Sequence, residues 1–587
     1  ISLIQDYISR KQFGKKIPQG RMIALVGDAE LDEGNVYECL QEGWKHDLRN
    51  VWWIIDYNRQ SLDGVVHEGL SERLGSVFEA FGWNLIILKY GKLQKEAFDE
   101  PGGHLLKKWI DDCPNQLYSA LIYEGGSTFK QRILDDIGDQ DIVSELINKR
   151  TDSEFLDLMA NLGGHCVQTL IKVFEKVKDD KPTAFIAYTI KGWGTPLAGH
   201  KDNHAGLMTK AQMNSFKLKY GISDGNEWNR FSDEKNNVEL DKYIKNLPFQ
   251  KAKHRKYQSK KVSVDENVFI KETKISTQNA FGKILDQYAK NNTDFSQRIL
   301  TTSPDVSVST NLGPWINRKG LFSRKDSSDT FKDRKIPSAQ KWIFSSQGQH
   351  IELGIAEMNL FLMLGAAGLS HEFFGERLFP IGTVYDPFIS RGLDAMNYAC
   401  YQDARFMIVG TPSGISLAPE GGAHQSIGTP LIGISQPGLL SFEPAFADEL
   451  ALIMNYGFNY LQDEAGGSIY LRLTTRSIDQ PMREIDNELK NNIIKGGYWL
   501  KKPGPNPEVI IVYQGAVAIE AIESTALLGE KFKNSGVLSI TSSDKLFHEW
   551  KNQNSTSHIE LLLECVPRDT RIITVIDGHP MTLSWIG

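Results

Sequence analysis

Gly27-Asp28-Ala29-Glu30 follows a short apolar run, and Asn58 stands thirty positions after Asp28, in Asp56-Tyr57-Asn58-Arg59-Gln60 behind a second apolar run. In a parallel α/β sheet the right-handed crossover brings the carboxyl ends of neighbouring strands to one edge, where ligands bind. The spacing therefore predicts Asp28 and Asn58 side by side. One carboxylate, one amide oxygen and a nearby backbone carbonyl form a hard, oxygen-only half-shell, with Gln60 counted beside them. That set suits octahedral Mg²⁺ completed by a diphosphate and water. The plainer alternative, an Asp and an Asn that merely cap helices, would be preferred for either residue alone.

A second carboxylate, Glu357 in Gly354-Ile355-Ala356-Glu357, opens a predicted helix, where the helix dipole favours negative charge. Glu352 lies nearby as its rival. His204 in Asp202-Asn203-His204-Ala205-Gly206 and His424 closing Pro419-Glu420-Gly421-Gly422-Ala423-His424 sit in glycine-bearing loops, with His200 as the fallback for His204. A side chain that titrates near neutrality suits proton transfer to a developing alkoxide or carbanion. An idle surface histidine is the bland alternative for each.

The elements that must position these residues are legible as alternating patterns. Met22-Ile23-Ala24-Leu25-Val26, helically spaced Val36, Leu40 and Trp44, then Val51-Trp52-Trp53-Ile54-Ile55 read as one βαβ unit, and Ala184 to Tyr188 as a further strand. Between about Glu96 and Asp180 the chain reads as helical and polar. Six lysines and arginines crowd between Lys251 and Lys261, read as a solvated linker rather than a nucleic-acid patch. A second α/β region begins near Ser276, with strands at Ile299-Leu300, Leu378 to Ile381 and Phe406 to Val409. A third carries Val509 to Val512, Val537 to Ile540 and Ile572 to Ile576. The expected fold class is α/β, three domains with parallel sheets: residues 1–250, a linker 251–271, 272–485, and an incomplete 486–587. Both chain ends read as cut.

The 587 residues are 41% hydrophobic, 24% charged and 10% aromatic, with a net charge of −7. That excludes a single small module and gives no global field for nucleic acid or anionic lipid. No apolar stretch reaches the eighteen or so residues of a membrane span. The five cysteines are odd in number, scattered and free of C-x-x-C spacing, which argues against a disulfide framework or structural zinc and for a reducing, cytoplasmic location.

With Gln60-Ser61-Leu62-Asp63-Gly64, Thr189-Ile190-Lys191-Gly192-Trp193-Gly194 and Glu443-Pro444-Ala445-Phe446 added to Asp28 and Asn58, the chain resembles the thiamine diphosphate enzymes of the transketolase superfamily. It is most similar to the homodimeric type of decarboxylating pyruvate dehydrogenase component. Ala29 departs from the family, which has glycine there. The resemblance implies two thiamine diphosphate-binding folds and a transketolase C-terminal-like domain, with thiamine diphosphate and Mg as cofactors. It implies Gly27, Asp28, Ala29, Glu30, Asn58, Gln60 and Lys191 on the diphosphate side. Tyr385, Phe388 and Arg391 fall on the pyrimidine side, and Glu357 is the carboxyl that activates the aminopyrimidine. His204 and His424 are then catalytic, Asp305 and Arg476 face substrate, and the molecule is a homodimer. The implied reaction is decarboxylation of pyruvate or a related 2-oxo acid with acetyl transfer to the lipoyl group of a partner acyltransferase. Arg476, in Leu473-Thr474-Thr475-Arg476, speaks for the alternative of a transketolase moving ketol units between sugar phosphates. A non-catalytic scaffold that kept the fold is the other alternative.

Overall fold

The computed structural model describes the chain except residues 12, 14–18, 61–68, 139–140, 230–236, 252–258, 267, 418–420, 553–554 and 587. Ser61 to Gly64, most of the basic stretch after Lys251, and Pro419 and Glu420 thus lie outside the described residues. The chain divides into two compact units, residues 20–255 and residues 256–587 together with 3–19.

The first unit is built on four parallel strands, β1 (Met22–Gly27), β2 (Val51–Tyr57), β3 (Asn84–Leu88) and β4 (Thr183–Tyr188), in the order β1-β2-β4-β3. Helix Gly34–Lys45 is the crossover from β1 to β2. The apolar runs form strands because both faces of the central pair are covered, as parallel sheets require. Val51, Ile55, Ala184 and Ile186 enter one core, while Trp52, Phe185 and Leu88 pack on Leu170, Val173 and Phe174 of helix Val167–Lys176. The predicted helical segment is present, yet it is not simply polar. Its helices Gly126–Ile137 and Asp152–Ala160 bury Phe129, Ile133 and Phe155 completely in the first core. β3 was not anticipated.

The second unit contains an eight-stranded parallel sheet in the order Leu439–Phe442, Ser468–Arg472, Met407–Gly410, Phe379–Val384, Ile299–Pro304, His350–Leu353, Leu321–Phe322, Phe344–Ser345. A four-stranded sheet follows, Gly497–Lys501, Gly536–Ile540, Val509–Gln514 and Arg571–Ile576, with only Gly497–Lys501 antiparallel. The two regions expected as separate domains, 272–485 and 486–587, therefore lie in one compact unit.

Two boundaries are corrected. Residues 3–19 were expected in the first domain and belong to the second unit. Helix Ser2–Lys11 buries Leu3, Ile4, Tyr7 and Ile8 on one face. The Tyr7 ring meets the edge of Phe322 at 5.1 Å, and Asp6 pairs with Arg324. The linker 251–271 is also shorter than expected. Val264 and Val268 are buried in the second unit's core, and the backbone of Val262 exchanges hydrogen bonds of 2.7 and 3.0 Å with the Gln462 side chain.

Candidate functional site

Each unit carries part of the constellation. In the first unit, Gly27 of β1 pairs with Asp56 of β2, so Asp28 and Asn58 emerge at the same carboxyl edge, as the spacing predicts. The Arg59 amide donates to Asp28 Oδ2 at 2.7 Å, and the Ala29 amide donates to Oδ1 at 3.0 Å. The Gln60 amide donates to Asn58 Oδ1 at 3.0 Å. Arg59 takes a φ of +67° to make this turn, a left-handed conformation that costs a non-glycine residue about 1 kcal/mol or more. The turn is held from the other side: the buried Gln60 amide donates to Gly199 O, and Arg59 donates to Thr189 O. Burial pushes the Asp28 carboxyl up to about 6 despite its two backbone donors. Ala29 begins a 3-10 turn, Ala29–Asp32, with a negative φ, so alanine sits there without strain. Glu30 accepts from Gly27 N at 3.1 Å, and the Lys191 carbonyl accepts from the Asn203 amide at 2.9 Å.

The donor set fits a hard dication. Asp28, Asn58 and Gln60 present oxygen only, and Gln60 Oε1 and Asn203 Oδ1 are buried without a hydrogen-bond partner. Among the described residues no group of three His, Cys, Asp or Glu side chains could hold a metal, so a cation here would draw on amide oxygens and on its own ligand.

In the second unit, Glu357 is the first residue of helix Glu357–Gly368 and is buried. Arg391 Nε donates to its Oε2 at 2.8 Å, from a guanidinium that is 60% exposed. Arg391 ends the short 3-10 segment Asp386–Gly392, the same segment that carries Phe388. Tyr385, Phe388 and His424 gather into one aromatic cluster, with His424 5.0 Å from the Tyr385 ring and 6.0 Å from Phe388. The Tyr385 hydroxyl donates to Ser309 Oγ at 2.8 Å. His424 Nδ1 is buried and has no hydrogen-bond partner.

The remaining sequence candidates are placed less centrally. His204 is exposed in the 3-10 turn Lys201–His204, which His200 caps by accepting from Asp202 N at 3.1 Å. Asp305 is exposed at φ +61°. Arg476 pairs with Glu520 of helix Ala518–Leu528 and donates to Ala516 O at 3.4 Å.

Residues 259–481 match the family described as the pyruvate dehydrogenase E1 component middle domain. The chain is 24% identical to the pyruvate dehydrogenase E1 component of Escherichia coli (strain K12), covering 96% of this chain and 65% of that protein. It is 26% identical to that of Buchnera aphidicola subsp. Schizaphis graminum, over 84% of this chain and 57% of the relative. It is thus similar to these proteins over less than two thirds of their length. The fold is shared with transketolase from Campylobacter jejuni (TM-score 0.63, 18% identity, 100% of this chain and 75% of the other). It is shared also with transketolase from Leishmania mexicana (TM-score 0.64, 15% identity, 99% and 72%). The chain is similar to pyruvate dehydrogenase E1 components in sequence and shares the transketolase fold.

In this E1-like chain the structure adds residues that the sequence did not single out. Buried Asp386, at the start of the Phe388 segment, accepts from Thr429 Oγ1 at 2.6 Å, from Arg472 Nε at 3.1 Å, and from Ser426 and Tyr470 hydroxyls. Arg472 also pairs with Glu443 and donates to the carbonyls of Ser426 and Asp577, each at 3.0 Å. Burial works against the Arg472 charge, but Glu443 and Asp386 outweigh it and raise its pKa. Asp577 accepts from Ile415 N at 2.8 Å and Ser416 Oγ at 2.7 Å, fixing the backbone just after Gly414. Gly414 is required there, with φ +85° and a Cβ that would stand 1.9 Å from Asp577 Oδ2. His165 accepts from Ile190 N at 2.8 Å beside the first-unit edge, and burial pushes it down to about 4, a neutral imidazole. Glu352, the rival of Glu357, is engaged with buried His350 and Ser307.

Proposed function

We propose that the chain catalyses decarboxylation of pyruvate or a related 2-oxo acid with thiamine diphosphate and Mg²⁺, passing the acetyl group to the lipoyl arm of a partner acyltransferase, and that it works as a homodimer. The observation that carries this reading is the oxygen-only turn at Asp28 and Asn58, at the carboxyl edge of a parallel sheet. The similarity to E1 components over most of this chain favours pyruvate as the substrate.

When bound, thiamine diphosphate supplies a carbon nucleophile and an electron sink. Asp28, Asn58 and Gln60 would hold the metal and its diphosphate, and the buried amide oxygen of Gln60 is free to take part. Glu357, now held by Arg391, would be the residue that holds the pyrimidine ring nitrogen. Phe388 and Tyr385 form the ring wall on that side. His424 moves a proton at the carbonyl oxygen of the substrate, through the nitrogen that has no hydrogen-bond partner among the described residues. The pairing of Arg476 with Glu520 supports this reading over ketol transfer, because it occupies the guanidinium that would take a sugar phosphate.

Carbon dioxide release from [1-¹³C]pyruvate, set against ketol transfer between sugar phosphates, tests the proposal. Release with pyruvate and no ketol transfer is the result expected. The opposite pattern overturns it, and thiamine diphosphate binding without either activity favours a scaffold.

A further inference from the structure

A cleft of about 480 Å³ in the second unit is lined by Lys11, Arg318, Lys319 and Lys341, and no carboxylate is among its lining residues. Four cations so placed repel one another. Among the described residues, of these four only Arg318 meets a carboxylate, Asp286, which lies outside the lining and is shared with Lys290. Lys11 donates to the carbonyl of Gln347, and Lys319 donates to Asn292 Oδ1 at 3.0 Å. These acceptors are neutral and leave the charge uncompensated. Burial and the neighbouring Lys319 push the Lys11 amine down to about 7, and burial lowers Lys319 as well. Several amides of the lining are spent on the backbone. Gln349 Nε2 is bonded to the carbonyls of Ser296, Gln297 and Ile299, and Asn317 binds Ala339 O and the Lys341 amide. The ammonium groups are what is left to meet a ligand, and a lysine cluster presents rotatable point charges suited to phosphate oxygens, while the one fork-shaped guanidinium is already occupied.

We propose that this cleft binds a small polyphosphate anion, such as pyrophosphate or the phosphate chain of a nucleotide, through Lys11, Lys319 and Lys341. The site is separate from the metal-diphosphate turn at Asp28, which lies in the other unit, and it needs no divalent cation.

The test is calorimetric titration of the whole chain with pyrophosphate in EDTA, which silences any metal-dependent diphosphate site. Saturable binding is expected, weakened roughly tenfold or more in Lys11→Gln/Lys319→Gln, the worth of charge-assisted hydrogen bonds. Lys551→Gln, on a distant surface helix, leaves it unchanged. Ligand-free, the double variant melts no lower than the parent, because two mutually repelling charges are gone, and it alone loses the stabilisation by pyrophosphate. If the double variant does not fold, the exposed Lys341→Gln, whose side chain makes no hydrogen bond in the structure, weakens binding several-fold. Absence of binding, equal binding by the variants, or equally tight binding of citrate overturns the proposal.

Discussion

Asp28 is a carboxylate held where water is scarce, and that fixes how pH acts on it. Its pKa of about 6 in the folded chain lies above its ordinary value, so the protonated form is the one that folding favours. The contribution is therefore fully present below about pH 4 and is lost as pH rises through 6. From pH 4 to 7.5 the unfolding free energy of ligand-free Asp28→Asn should gain on that of the parent by up to about 3 kcal/mol, read by urea denaturation at each pH. Metal binding needs the ionised form, so magnesium-dependent thiamine diphosphate affinity should fall about tenfold per unit below pH 6. Asp28→Ala should remove that affinity in calorimetry; an unchanged affinity would move the site elsewhere. Glu357→Gln should keep the fold and slow hydrogen–deuterium exchange at the thiazolium carbon by roughly a hundred- to ten-thousand-fold. An unchanged rate would shift that role to Glu352, whose contacts with His350 and Ser307 make it a structural residue here.

Short elements decide where the site residues stand. The segment Asp386–Gly392 and Ser426, two residues after His424, are both tied to Arg472, a cation with almost no exposure. Arg472→Met should cost about 3–5 kcal/mol, because Asp386 and Glu443 would be left buried without a counter-ion. Chemical denaturation measures it; a loss under 1 kcal/mol would overturn this account of the network. This network was not legible in the sequence. Asp386, Arg472 and Asp577 are far apart along the chain, and their partners are set by tertiary packing. Asp28 and Asn58 could be picked out because each follows an apolar run, and Glu357 because it opens a helix, whereas Phe388 was named only through the resemblance. Strands with long apolar cores were likewise readable. Asn84–Leu88 is a short run beside a helix, Leu439–Phe442, Ser468–Arg472, His350–Leu353, Leu321–Phe322 and Phe344–Ser345 are shorter still or carry polar and charged residues, and the glycine and lysine ends and antiparallel pairing of Gly497–Lys501 break the repeating pattern, so none of these strands is read from the sequence. The helices from Gly103 to Ala160 read as polar because their outward faces outnumber the few large side chains that enter the core.

At the scale of the molecule, one unit is interrupted by the other: the chain enters the second unit with residues 3–19, leaves it to build residues 20–255, and returns at 256. Asp6→Ala should therefore loosen the second unit alone. Hydrogen exchange in peptides from Leu321 to Leu353 is expected to quicken, while peptides from β2 and β4 exchange as before. Acceleration in both units would show that the helix Ser2–Lys11 steadies the whole chain. The same interruption orders events during synthesis on the ribosome. Asp6 must wait for a partner 318 residues downstream, about 15–60 s at 5–20 residues per second. Throughout that interval the apolar face of Leu3, Ile4, Tyr7 and Ile8 is made but uncovered, while the intervening unit can close on its own sheet. A nascent chain of this design keeps the sticky face of the helix Ser2–Lys11 open to chaperones until Arg324 has been made, and the second unit cannot be completed until that helix has been recovered.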